Sequence, residues 1–188
     1  MDKTISKPNQ TISSTKKLVG TAVFSALAYV ISMLEFPIFP ATPFLKLDFS
    51  AVFLLLAGFI FGTIYGISAC AVKELICFIT KSSTGGVGEL ANFLVIGAFI
   101  LIPTLVYQYK KGIKVVIITL IIACFVQVSL SLFVNRFINF PLYMGSGAKP
   151  FFESVWQFVA LFNLIKSVAI SIIAILLYKK LSALIKSI

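Results

Sequence analysis

The sequence predicts an all-α integral membrane protein, a six transmembrane helix bundle with N and C termini cytoplasmic. Three observations carry this. Of 188 residues, 60% are hydrophobic and only 12% are charged, whereas a soluble domain is nearer half apolar with about twice the charge. The apolar residues gather into runs close to the ~20 residues that a helix needs to cross a hydrocarbon core of about 30 Å. The lysines concentrate in alternate connections, which sets an orientation.

Taken in order, residues 1–16 are a polar cytoplasmic tail, of which 1–15, with Pro8 and several Ser and Thr, are expected to be disordered. Residues 17–188 form the membrane domain. The first span is Leu18–Phe36. Within it Ala26-Leu27-Ala28 resembles a signal-peptide cleavage site, but the apolar run continues unbroken to Leu34, which argues against cleavage. Phe49–Tyr65 and Gly66–Thr80 follow with no charged linker between them. Their boundary near Gly62–Gly66 is either a tight glycine turn or a broken, re-entrant helix. The remaining spans are Leu90–Tyr107, Val115–Phe133 and Val155–Tyr178.

Charge placement orients the bundle. Lys3, Lys7, Lys16 and Lys17 precede the first span, Lys110, Lys111 and Lys114 separate the fourth from the fifth, and Lys179, Lys180 and Lys186 follow the last. The opposite side carries Lys46, Lys81, Arg136 and Lys149, mixed with Glu35, Asp48, Glu89 and Glu153. The positive-inside rule therefore puts both termini in the cytoplasm. The net charge of +10 is mostly this topology signal. Nucleic acid is excluded as a partner because no aromatic-interleaved basic stretch lies outside the membrane.

The inventory also excludes several chemistries. The chain has no His, which removes Ser-His and Cys-His catalysis and most transition-metal sites. Lys166 and Ser167 are neighbours, but adjacent positions on a helix point apart, so a Ser-Lys dyad does not form there. The one Gly-rich loop, Thr84-Gly85-Gly86-Val87-Gly88-Glu89, lacks the Lys-Ser/Thr ending of a nucleotide loop. The chain is not read as an enzyme. Cys70, Cys77 and Cys124 fall inside spans and read as small apolar fillers.

What remains is a set of polar groups toward one side. Lys166 sits near the middle of the last span with Asn163 one turn before it. An ammonium at that depth costs roughly 2.5–3.5 kcal/mol on insertion scales, so it must face a cavity, a partner or a ligand. Trp156 and Gln157 lie higher in the same helix. The first outer loop, Glu35 to Asp48, carries prolines three residues apart at Pro37, Pro40 and Pro43. That spacing predicts a stiff, extended polyproline segment that covers a binding site with Phe36, Phe39, Phe44 and Leu45, or else rests on the headgroups.

At the start of the fourth span, Glu89 suits the positive end of the helix dipole, and Asn92 lies one turn deeper on the same face. Asn92 enters the pocket or makes an interhelical hydrogen bond. Asn135 and Asn139, four apart, share a face if the fifth helix persists that far, with helix capping and interfacial anchoring by Arg136 and Tyr143 as the competing roles. Lys73 and Glu74 are read as a structural ion pair or an interhelical contact rather than as substrate groups. These clusters come from several helices yet lie toward one side, which suits a single substrate pocket open to the extracellular side. Abundant Phe and Leu with Asn and Lys favour a flat aromatic ligand with a hydrogen-bonding edge. Only Lys166 is clearly placed as a buried cation, so a strongly anionic substrate is not expected.

These residues resemble the riboflavin-specific substrate-binding S components of energy-coupling factor (ECF) transporters. The resemblance rests on Phe36-Pro37-Ile38-Phe39-Pro40 with Leu45-Lys46-Leu47-Asp48-Phe49-Ser50, on Gly85 through Phe93, and on Phe162-Asn163-Leu164-Ile165-Lys166. It implies a six-helix bundle that captures riboflavin from outside, with the first loop as a lid and with riboflavin as transported ligand rather than cofactor. Asn163 and Lys166 would then hydrogen-bond the flavin, with Asn92, Asn135 and Asn139 beside them, and Leu45, Lys46 and Asp48 would contribute from the loop. The implied partners are a transmembrane coupling subunit (T component) and two ATPase subunits on separate chains, in the plasma membrane of a bacterium. Ala22 and Ala26 match the small residues, four apart, at which the coupling subunit docks. An S component for another vitamin and a stand-alone secondary transporter are the alternatives, and the second is disfavoured by the absence of paired halves.

Overall fold

A computed structural model describes the backbone of residues 13–187 and the side chains of residues 13–178. Most of the expected tail, and the side chains of Lys179, Lys180 and Lys186, lie outside the described residues. The described chain is almost entirely helical.

Helix α1 runs Ser14–Ser32 and is capped by Ser13, whose side chain accepts from the Lys16 N–H. It therefore begins inside the stretch read as a tail. Its buried side, Thr21, Ser25, Ala28 and Ser32, recurs every three to four residues and is made of small side chains that let α1 approach its neighbours closely. Ala22 and Ala26 lie on the exposed side.

The loop after α1 differs from the polyproline expectation. Strand β1 (Phe36–Pro37) pairs antiparallel with β2 (Lys46–Leu47), with Phe36 opposite Leu47 and Pro37 opposite Lys46. Between them the chain turns twice, the Thr42 N–H donating to Phe39 O and the Leu45 N–H to Thr42 O. A proline's fixed φ is as compatible with a turn or strand edge as with an extended rod. The hairpin prevails because it buries Leu45 and Leu47 in a cluster with Phe152, Val155, Val159 and Phe162.

Helix α2 (Ser50–Phe61) and helix α3 (Thr63–Lys81) are separated by a single residue, Gly62, at φ +112°. Of the two forms expected at this boundary, the tight glycine turn is the one found. A Cβ on Gly66 would lie 2.8 Å from Gly58 Cα, so α3 folds directly back along α2. With 12 residues, α2 is about 18 Å long, shorter than the run Phe49–Tyr65 suggests. It is buried nearly all round and touches α1, α3, α4 and α7. Uniform hydrophobicity marks such a central helix.

Helix α4 (Val87–Tyr109) packs on α3 and on α5 (Ile113–Val134). From α5 the chain continues through a π-helical turn (Asn135–Asn139), a short α6 (Phe140–Met144) and a 3₁₀ turn (Gly145–Gly147) into α7 (Ala148–Ser187), which packs against α5. The last helix thus starts earlier than the expected Val155. Among the described residues, Thr63–Lys81, Val87–Tyr109 and the helical run Ile113–Tyr178 are long and apolar enough to cross a membrane. Exposed side chains such as Leu18, Ile64, Leu75, Phe125 and Leu176 give the bundle an apolar exterior. The chain is a multi-pass membrane protein.

The two ends of the bundle are distinct. At one, Lys17 sits over the Tyr65 ring, Gln108 donates to Thr63, and the Tyr107 and Tyr178 hydroxyls meet at 3.1 Å. At the other lie the β1–β2 hairpin, the end of α3, the start of α4 and the π turn.

Candidate functional site

At the hairpin end, Asp48 follows β2 and heads α2. Its Oδ1 accepts from the Ser50 N–H at 2.9 Å and also from the Ser50 hydroxyl, and its Oδ2 accepts from Lys166 Nζ of α7 at 2.7 Å. Next to this pair, Lys73 Nζ of α3 meets Glu74 Oε1 at 2.8 Å. All four residues are 4–5% exposed. Buried charges persist only when paired and hydrogen-bonded, and these two pairs form a compact, formally neutral patch.

The amides assemble around it. Asn163 Nδ2 donates to Val159 O at 2.9 Å, and its Oδ1 accepts from Gln127 Nε2 at 3.4 Å. Asn135 Nδ2 donates to Ser131 O, and its Oδ1 accepts from Asn139 Nδ2 at 2.8 Å. The helix does persist past Val134, as a π turn, and that turn keeps Asn135 and Asn139 in contact. Glu89, in the first turn of α4, accepts from the hydroxyls of Ser82 and Thr84, tying down the glycine loop that precedes it.

At the rim, Glu35 bridges Lys46 at 3.1 Å and Lys81 at 3.2 Å. Lys81 also donates to Ser32 O at the end of α1. Burial pushes the Glu35 carboxyl up, but the hydrogen bonds and charges of Lys46 and Lys81 outweigh this and hold it below its ordinary range.

These groups surround one cavity of about 220 Å³. Leu45, Lys46 and Asp48 line it from the hairpin, and Glu89 and Asn92 from α4. Asn135 and Asn139 line it from the π turn, and Asn163 and Lys166 from α7. Every binding residue expected from the sequence thus faces the same space. Trp156 and Gln157 are exposed and lie elsewhere.

The structure corrects two expectations. Lys73 and Glu74 do form the expected ion pair, but they also line the cavity, as do Lys81 and Glu35. Lys166 is consequently one of several cations in the wall, each held by a carboxylate. Gln127, wholly buried behind Asn163, was not singled out from the sequence. A lone amide in an apolar helix was its only signal. The cysteines are free and buried, as fillers are.

The arrangement can enclose a ligand that is partly apolar, through Phe44, Val95 and Phe162, and that presents donors and acceptors to amides and paired charges.

Comparison with known proteins agrees with this chemistry. The family model "ECF transporter, substrate-specific component" matches residues 16–178. The chain is 36% identical over 178 residues to the riboflavin transporter RibU of Staphylococcus aureus (strain TCH60), covering 92% of this chain and 94% of that one. It is 30% identical to the riboflavin transporter FmnP of Bacillus subtilis (strain 168), over 88% and 92% of the two chains. A solved structure described as the S component of a bacterial ECF transporter superposes with a TM-score of 0.80 at 37% identity, covering 93% of this chain and 99% of that one. The family match takes in every element of the cavity, and the chain belongs to the substrate-specific components of ECF transporters.

Proposed function

We propose that this protein is the riboflavin-capturing subunit of an ATP-driven ECF uptake transporter in a bacterial plasma membrane. It crosses the bilayer six times with both termini in the cytoplasm and opens its cavity outward. One observation carries the reading: amides from α4, the π turn and α7 converge under an apolar hairpin, in a chain whose near-full-length relatives are riboflavin transporters. The lysine-rich connection Lys110 to Lys114 lies at the opposite end from the cavity, which supports the orientation.

In this reading Asn163 and Lys166 contact the flavin directly. Asn92, Asn135, Asn139 and Glu89 complete the wall, and Leu45, Lys46 and Asp48 close it from the hairpin. Riboflavin has about 27 non-hydrogen atoms, and at roughly 0.3 kcal/mol each, contact alone gives about 8 kcal/mol, a micromolar affinity. Tighter capture requires preorganisation, which the paired charges and the pinned hairpin provide. The chain carries no nucleotide-binding loop, so the energy comes from ATPase subunits on other chains, coupled through a T component.

The test is direct. Protein purified in detergent from cells grown with riboflavin should absorb in the flavin range, and ligand-free protein should quench flavin fluorescence with one-to-one stoichiometry. Folded protein that stays colourless and silent through the titration would discard riboflavin and send the cavity to a panel of other vitamins.

A further inference from the structure

Glu74 lies in the middle of α3, 5% exposed, and its two carboxylate oxygens have different surroundings. Oε1 is held by Lys73. Oε2 is buried with no hydrogen-bond partner among the described residues, in a residue that lines the cavity. A buried acceptor left unpaired forfeits the hydrogen bonds it made to water, a larger loss for a charged group, so its presence in a binding protein calls for an explanation. Lys73 and Glu74 are consecutive, and consecutive helical positions diverge, so the lysine must bend back to reach Oε1. A pair serving only to neutralise itself accounts for one carboxylate oxygen and leaves the other unexplained. Glu74 also lines the neighbouring groove formed by Leu75, Phe78, Leu90 and Phe93, an apolar surface that offers Oε2 no donor.

We propose that Glu74 Oε2 accepts a hydrogen bond from the bound ligand, so that Glu74 is a specificity-determining residue of this cavity, selecting ligands that present an N–H or O–H donor at that point. The inference rests on the riboflavin reading. Oxidised riboflavin offers two kinds of donor, the imide N–H of the ring and the ribityl hydroxyls, and either satisfies the carboxylate. Sites built around a buried polar group reject analogues lacking the complementary group strongly, because the protein atom is then left unpaired.

The experiment titrates wild-type protein, Glu74→Gln and the double variant Lys73→Met/Glu74→Gln with riboflavin, with N3-methylriboflavin, which lacks the imide donor, and with lumiflavin, which lacks the ribityl chain. In Glu74→Gln, the amide oxygen takes over the Lys73 contact and turns N–H groups toward the ligand's donor. Riboflavin affinity should fall at least tenfold. The double variant removes the uncompensated cation along with the carboxylate, so it folds without a buried unpaired lysine, and its affinity should not recover. One analogue penalty should shrink at least tenfold in both variants: that of N3-methylriboflavin if the imide is the donor, that of lumiflavin if a ribityl hydroxyl is. Wild-type affinity in the double variant would show that Glu74 only neutralises Lys73, and unchanged penalties for both analogues would show that it touches no donor. Either result overturns the assignment while the riboflavin reading stands. Failure of the wild-type protein to bind riboflavin would overturn both.

Discussion

Lys166 on α7 and Asp48 at the head of α2 are 118 positions apart in the chain and joined by a 2.7 Å ion pair. The contact fixes the end of the hairpin loop to the last helix, as Glu35 and Lys81 fix its beginning to α3. The loop is therefore held at both ends, and the cavity lies between the two attachments.

Removing one member of the inner pair exposes its dual role. Lys166→Ala leaves Asp48 buried without its cation, which should cost about 3–5 kcal/mol of stability and weaken flavin binding by tenfold or more. Asp48→Asn/Lys166→Met removes both charges and should regain most of the thermal stability without regaining affinity. Thermal melts and fluorescence quenching on the same preparations separate the two effects. Full recovery of binding in the double variant would mean that the pair serves the fold alone.

Asn163 is held on two sides, by Val159 O and by Gln127, which orients its amide in the wall. Asn163→Ala should weaken flavin binding by tenfold or more with little change in melting. Gln127→Leu, which removes the amide behind it, should give a smaller loss, because Asn163 keeps its bond to Val159. Equal affinity in purified Asn163→Ala and wild-type protein would remove this residue from the site.

The rim attachment should respond to acid. Glu35 is held below its ordinary value of 4.5 by Lys46 and Lys81. A group depressed in the folded state contributes stability that is fully present above its unfolded pKa and is lost as pH falls through the folded one. The hairpin should stay fixed above pH 4.5 and loosen below it. Amide exchange across residues 36–47, corrected for intrinsic rates, should rise in that range. Lys81→Met should weaken the fixation at neutral pH and flatten the acid response, and an identical acid profile in that variant would place the responsive group elsewhere.

The long helices are legible in the sequence as apolar runs bounded by charge or glycine, whereas the boundary near Gly62–Gly66 reads equally as a tight turn or a re-entrant helix until the packing of α3 on α2 decides it. The hairpin is not legible: Pro37, Pro40 and Pro43 have a regular spacing, but what decides the loop is burial of Leu45 and Leu47 against α7, a contact between distant segments that no local pattern contains. The same holds for the charges. Lys166 stood out as unaffordable alone, and Asp48 stood out as a loop residue, but their pairing requires the tertiary path that brings α2 beside α7. Glu74 has a sufficient partner in its sequence neighbour Lys73, and only the structure shows that the residue lines the cavity and that one of its oxygens is left unpartnered.

Ala22 and Ala26 present the remaining question, since their side chains are exposed and lie outside the buried clusters. Both are exposed on α1, on the side away from Thr21, Ser25, Ala28 and Ser32, which pack into the bundle. A small residue on a lipid-facing surface gains nothing from lipid, which contacts leucine as well as alanine, whereas it lets a second helix come close. Replacing Ala22 and Ala26 together with Leu should therefore leave melting temperature and flavin affinity unchanged, because neither side chain touches the cavity or the core. The same variant should lose co-purification with a coupling module and lose riboflavin uptake in cells. Retained assembly in the variant would move the docking surface to another helix, while lost flavin binding would mean that α1 transmits its packing to the cavity after all.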